Sequence, residues 1–234
     1  MLRSFDWNIT LFFNQFAGKH EIVDRSIHFA ADYSLTSSML LFAVICYLWF
    51  REKAGARPTQ ARMIAEIIGA ALAGPISRGL QLILKFHPRP LHDPSRAFHV
   101  PFGVDPAILN HWSSFPSDHA AVYFGLATVI WLHSRRLGVA AWLWATLLCF
   151  LRIYLGYHWT SDILGGAAIG ILCVLAFRAI IPRVLLSQAL EWEERIPGVF
   201  YAFAFLACYQ IGTLFEDLRH LGASLLKAAG IIGF

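Results

Sequence analysis

The sequence predicts an all-α, polytopic membrane protein: a six-transmembrane-helix bundle preceded by an N-terminal interfacial amphipathic helix. Three observations predict it. The chain of 234 residues is 57% hydrophobic and only 15% charged, with a mean hydropathy of +0.56. Soluble domains sit near about 45–50% apolar and about 25% charged. Six apolar stretches, roughly 28–50, 63–85, 118–134, 139–156, 162–182 and 198–215, approach or reach the length that crosses hydrocarbon. The charged and proline-rich residues gather between those stretches, where a chain must turn in water.

The opening run MLRSFDWNITLFFNQFAG holds Asp6 and Asn8 among apolar residues, so no cleavable signal peptide is expected. Its Phe5, Trp7, Leu11, Phe12 and Phe16 suit a helix lying on a membrane surface. The third and fourth apolar stretches are short, and the tail 219–234 is too short and too interrupted to span. One domain over 1–234 is expected. Cys46, Cys149, Cys173 and Cys208 all lie in apolar runs without metal-ligand spacing, so they read as packing residues. The net charge of +4 is small and its cations are dispersed, which excludes a nucleic-acid footprint.

Basic residues set the orientation. Arg51, Lys53, Arg57, Arg62, Arg135, Arg136, Arg178, Arg183 and Arg195 fall on one side. Arg3, Lys19, Arg25, Lys85, Arg89, Arg96, Arg152, Arg219 and Lys227 fall on the other. Assigning Lys85, Arg89, Arg96 and Arg152 to a site breaks the tie. The first side is then cytoplasmic and both ends of this chain face outward.

On the outer side three clusters meet. The first is Lys85-Phe86-His87-Pro88-Arg89-Pro90, the second is Phe115-Pro116-Ser117-Asp118-His119-Ala120, and the third runs from Arg152 to Asp162. A charge inside hydrocarbon costs at least about 2.5 kcal/mol, so such groups mark either a solvated edge or a site. Arginine forks suit phosphoryl oxygens, and the amides opening a helix point at an anion. A histidine oriented by a carboxylate can attack phosphorus, and a second histidine can serve as acid and base.

The three clusters resemble the signature motifs of the type 2 phosphatidic acid phosphatase superfamily, which includes vanadium haloperoxidases. The motifs are Lys-x6-Arg-Pro, Pro-Ser-Gly-His and Ser-Arg-x5-His-x3-Asp. Arg152, His158 and Asp162 keep the third spacing, with Leu151 in place of its serine. Pro116-Ser117-Asp118-His119 matches the second with Asp118 for glycine, a variant similar to the bacterial undecaprenyl-diphosphate phosphatase branch. Arg89-Pro90 closes the first, but Leu82 stands where the lysine is expected, and Lys85 and Arg78 are the nearest cations.

The resemblance implies His158 as nucleophile forming a phosphohistidine, Asp162 aiming it and His119 as acid and base. Lys85, Arg89, Ser117, Asp118 and Arg152 would bind the substrate. No cofactor and no metal are expected; the partners are a lipid phosphate or diphosphate and the surrounding membrane lipids. The implied reaction is hydrolysis of undecaprenyl diphosphate to the monophosphate at the outer face of a bacterial inner membrane. Phosphatidic acid or phosphatidylglycerophosphate is the alternative substrate. A lipid-phosphate binder or transporter has no use for a nucleophile, and a metal-dependent hydrolase sits poorly among so many cations. Of the ten histidines, His20, His28, His133 and His220 read as packing or interfacial groups. His87, His92, His99 and His111 read as solvated loop residues. Asp32 and Glu66 inside apolar spans read as helix-pairing contacts.

Overall fold

A computed structural model describes residues 2–33, 35–51, 57–94 and 98–218, together with 221 and 224. Lys53, Arg96, Arg219, His220 and Lys227 lie outside the described residues. The described chain is helical, without strands: α1 Leu2–Asn14, α2 Glu21–Asp32, a wide π-type turn Leu35–Met39, α3 Leu40–Arg51, α4 Arg57–Ile83, α5 Asp118–His133, α6 Arg135–Tyr154, α7 Thr160–Ile180, α8 Arg183–Arg195 and α9 Pro197–Gly212.

Helix α5 is the hub, packed by α4, α6 and α7 and touched by α3. It shows no polar face because it needs none: residues 120–130 are buried on every side. The Ser117 hydroxyl starts it, accepting the Ala120 amide as an N-cap does. Helix α7 presses on α5 main chain to main chain. A Cβ on Gly166 would fall 2.2 Å from the Ser117 carbonyl oxygen, and one on Gly170 would fall 2.1 Å from that of Ala121. Only glycine permits that approach.

Helices α4, α6 and α7 are long and apolar enough to cross a membrane. The α2–α3 pair, bent by 55°, makes a fourth candidate. Helices α5 and α9 have 16 residues each, or about 24 Å at 1.5 Å per residue, short of the roughly 30 Å hydrocarbon core. The apolar stretches expected from sequence thus become helices, while the count that spans is three to four by length and composition.

Near the start of α4, Glu66 is fully buried and bonds His133 of α5 at 2.6 Å as well as Arg178 of α7. One carboxylate therefore ties three helices together, the helix-pairing contact expected of it. Nearby, Arg57 pairs with Glu193 and Glu194, holding α8 across the start of α4.

Helix α1 turns its polar face inward. Asp6, Trp7, Thr10 and Asn14 are buried, while Phe5, Phe12 and Phe16 are 48%, 59% and 53% exposed. Trp7, expected on the apolar face, instead turns in and stacks edge-on against Trp159. Asp6 accepts both the amide and the hydroxyl of Ser161, at 2.8 and 2.7 Å, in the first turn of α7. Asn14 exchanges two hydrogen bonds with the His99 backbone, and Asp24 accepts the Phe102 amide. The outer loop is thereby stitched to α1 and α2.

Candidate active site

Three helix ends and two loops converge on a cavity of about 320 Å³ lined by Arg78, Arg89, His119, Arg152 and His158 among others. His158 follows the end of α6 and precedes α7, and its imidazole is 1% exposed. Its Nδ1 lies 3.0 Å from the Ser114 carbonyl. A carbonyl only accepts, so Nδ1 carries the proton and Nε2 keeps its lone pair. That Nε2 faces Arg89 Nη1 at 3.4 Å. Burial first, and the Arg89 charge second, draw the His158 pKa down to about 4, leaving a neutral ring at neutral pH.

Asp162 sits one helical turn beyond His158 but does not reach it as the sequence suggests. Its Oδ2 is 3.6 Å from His158 Nδ1, longer than a hydrogen bond. The physical reason is that Oδ2 already accepts the Trp159 amide at 2.7 Å, capping its own helix. Ser114 therefore orients the ring directly and Asp162 contributes charge from just behind. Its other oxygen, Oδ1, lies 3.3 Å from His87 Nδ1.

On the opposite wall, His119 Nδ1 is 2.9 Å from Asp118 Oδ1. The carboxylate takes the Nδ1 proton, so Nε2 is left for acid–base work. Asp118 Oδ2 lies 3.4 Å from Arg78. Asp118 is thus a brace between His119 and Arg78, a role better suited to a carboxylate than binding an anion. One ligand atom each of Asp118, His119 and His158 lie within 4.8 Å of one another, a grouping that three lone-pair donors could offer a cation. Three guanidinium groups line the same cavity, and they favour an anion there.

Arg89 enters on the extended segment after α4. Its guanidinium donates to the Tyr157 and Ser113 carbonyls, and burial lowers its pKa to about 10, still fully charged at neutral pH. Arg152, from the last turn of α6, donates to the Ala31 carbonyl at 3.2 Å and pairs with Asp32 at 3.3 Å. That ion pair accounts for Asp32. Both arginines are almost fully buried, and the Nε–H of each finds no acceptor among the described residues.

Two expected substrate ligands are placed elsewhere. Ser117 is fully buried, with its hydroxyl at the N-cap of α5, and it does not line the cavity. Lys85 is exposed and lines a second cavity with His87, Trp159 and Asp6. It would share a face with Arg78 and Gln81 only if the helix continued, and α4 stops at Ile83. Leu82, where the motif lysine is expected, is 75% exposed and points away. Arg78, one turn earlier, fills the space: it donates to Gln81 and lies over the Trp112 ring at 4.2 Å. The spacing of one helical turn between 78 and 82 was the available signal. Asp6, Asp32, Ser114 and His87 carry no local pattern that marks them.

Comparison with known proteins follows the same outline. Undecaprenyl-diphosphatase BcrC of Bacillus subtilis is 25% identical over 161 residues, spanning 68% of this chain and 75% of that protein. Lipid A 4'-phosphatase of Bacteroides thetaiotaomicron is 43% identical over 86 residues, covering 36% of this chain and 37% of that one. The crystal structure of Aquifex aeolicus LpxE shares the fold, with a TM-score of 0.51 and 23% identity over 73% of this chain and 93% of that chain. A model of the PAP2 superfamily matches residues 67–185, a segment that holds the second half of α4, both cavity histidines and every cavity arginine. The chain belongs to the PAP2 superfamily, as a membrane lipid phosphatase.

Proposed function

We propose that the protein hydrolyses a polyprenyl diphosphate, undecaprenyl diphosphate in particular, to the monophosphate and inorganic phosphate. The observation that carries this reading is the set of three arginines, Arg78, Arg89 and Arg152, that line one cavity with His119 and His158. Cations gathered round one cavity favour an anion, and a phosphoryl group brings the charged oxygens that guanidinium forks bind.

The neutral Nε2 of His158 attacks the terminal phosphorus, and the bond from phosphorus to the bridging oxygen breaks. The lipid monophosphate departs with that electron pair. Arg89, Arg152 and Arg78 spread the charge that develops on the equatorial oxygens. The new N–P bond makes the imidazole cationic, and the Asp162 carboxylate stabilises it. His119 then takes a proton from water as the water attacks phosphorus, the N–P bond breaks, and His158 regains its lone pair.

In this reading the domain spans 1–234 and crosses the inner membrane six times, with α5 and α9 as short crossings. The cavity opens on the extracytoplasmic face. In a cysteine-free background, an impermeant thiol reagent applied from outside should label a cysteine at Asp105 and leave one at Arg136 unmarked; the reverse pattern overturns the orientation.

A second reading, a lipid A phosphatase, draws on the 43% identity over 86 residues to the Bacteroides enzyme. Phosphate release from undecaprenyl diphosphate, undecaprenyl phosphate, phosphatidic acid, phosphatidylglycerophosphate and lipid A, each with chelator present, separates the two. The diphosphate should be hydrolysed fastest. Faster release from lipid A or phosphatidic acid would make the protein a monoester phosphatase.

A further inference from the structure

The carboxylate of Asp162 is shared between two imidazoles. His158 Nδ1 lies 3.6 Å from Oδ2, and His87 Nδ1 lies 3.3 Å from Oδ1. Asp162 is fully buried and His158 is 1% exposed, whereas the His87 side chain is 43% exposed. Oδ2 takes the Trp159 amide, but Oδ1 has no partner of strict hydrogen-bond geometry. A buried carboxylate oxygen demands a donor, and His87 is the one at hand.

The surroundings fix the tautomer of His87. Its Nδ1 lies 2.9 Å from Ser114 Oγ, and the Ser114 hydroxyl already donates to the His87 carbonyl at 3.0 Å. Ser114 Oγ therefore accepts from Nδ1, as Asp162 Oδ1 does, so Nδ1 carries the proton. The segment is pinned as well: His87 N donates to Ser113 Oγ, and Ser114 N donates to the His87 carbonyl. A second proton on His87 therefore goes to Nε2, and the residue lines a second cavity of about 660 Å³, separate from the catalytic one.

We propose that His87 is a positioning residue for the phosphoryl transfer: its Nδ1–H holds the second oxygen of Asp162, and protonation at Nε2 opposes the positive charge that grows on His158. The proposal rests on His158 being the nucleophile. Among the described residues, the charged groups that face His87 or share its cavity are Asp162 from α7, Asp6 from α1, Asp93 from the loop after α4 and Lys85 from its own segment. Of these side-chain types, only imidazole ordinarily changes charge between pH 5 and 8. Turnover should therefore fall as pH drops through that range, with His87 adding to the fall that protonation of the base His119 itself brings.

Three variants of the full chain test this with undecaprenyl diphosphate. His87→Asn keeps a donor in the place of Nδ1 and cannot titrate; His87→Gln moves the donor to the place of Nε2; His87→Ala removes it. The Ala and Gln variants should lose about tenfold in kcat with KM near wild type, the low end for partners that orient a reacting group. His87→Asn should recover most of that loss and show a shallower fall in kcat between pH 7 and 5.5 than the wild type. An unchanged acid fall in His87→Asn, or wild-type kcat in His87→Ala, overturns the proposal. Equal losses in all three variants, tracking a lowered thermal transition, also overturn it by showing a merely structural role. A wild type that turns over without ever carrying phosphate removes the nucleophile reading beneath it, a result distinct from the other two.

Discussion

Replacing His119 with alanine should affect the two half-reactions unequally, and the substrate reveals which. Asp118 occupies Nδ1 at 2.9 Å, so the working group removed is a single Nε2 facing the cavity. A general acid or base contributes about 10²–10⁴-fold. A lipid diphosphate expels a phosphate monoester whose second pKa is about 6, which leaves without a proton. A lipid monophosphate expels an alkoxide, roughly as basic as hydroxide, whose parent water has a pKa of about 15.7.

With the diphosphate, His119→Ala should still phosphorylate His158 and then stall by about 10²–10⁴-fold in hydrolysis. With the monophosphate, formation of the intermediate should itself fall by that factor. Rapid quench with labelled diphosphate should show an acid-labile, base-stable phosphoenzyme approaching one per chain in His119→Ala and absent in His158→Ala. Phosphate trapped on His119 in the His158→Ala protein would reverse the roles. If no variant and no wild type carries phosphate in a single turnover, the covalent mechanism fails.

The cavity cations give a ranking. Arg89→Ala should lose about 10²-fold or more in kcat, Arg78→Ala should follow, and Lys85→Ala should stay near wild type; a more damaging Lys85→Ala would mean that the second cavity holds the substrate. Excess chelator should leave phosphate release unchanged, and activity restored only by an added divalent cation would refute that. Because His158 is held near 4 against an ordinary 6.5, the unfolded chain takes up a proton that the folded one refuses as pH falls through that window. Resistance to inactivation should therefore decline from pH 6.5 toward 4, and His158→Gln should flatten the slope. Glu66→Ala leaves His133 and Arg178 facing each other without their shared carboxylate, and breaking such a buried pair costs about 3 kcal/mol. A clear drop in the thermal transition is expected, with turnover per folded molecule retained; loss of turnover without loss of stability would contradict a purely structural clamp.

The parts legible in the sequence are those whose geometry is local. Arg152, His158 and Asp162 sit within eleven residues around one loop, so their spacing brings them close together, though it does not show that Asp162 stays 3.6 Å from His158. The helices were legible too, since apolar length is additive along the chain, although nothing in the composition of α5 tells a short buried hub from a full crossing. Nearness to Arg89 in sequence points Lys85 to the site, whereas α4 ends at Ile83 and Lys85 lines the second cavity. Asp6 carried no signal, and for Asp32 and Glu66 helix pairing was legible but the partner was not. Their partners Ser161, Arg152 and Arg178 lie more than a hundred residues away, and a lone carboxylate in an apolar run looks the same whether it caps a helix, pairs an arginine or clamps three helices. His87 was indistinguishable from His92 and His99 until the fold put one of them against Asp162.

The contact between Gly166 and Ser117, repeated at Gly170 and Ala121, acts as a ruler. The nucleophile stands just before α7 and the acid–base histidine just inside α5, so the gap between them is set by two main chains in touch. No repacking of side chains can widen it. A headgroup pocket of a different size must therefore be made at the other walls, where Ile108, Leu109, Leu214 and Glu216 line the same cavity. Lipid preference is free to drift along that rim while the distance across which phosphorus is passed stays constant.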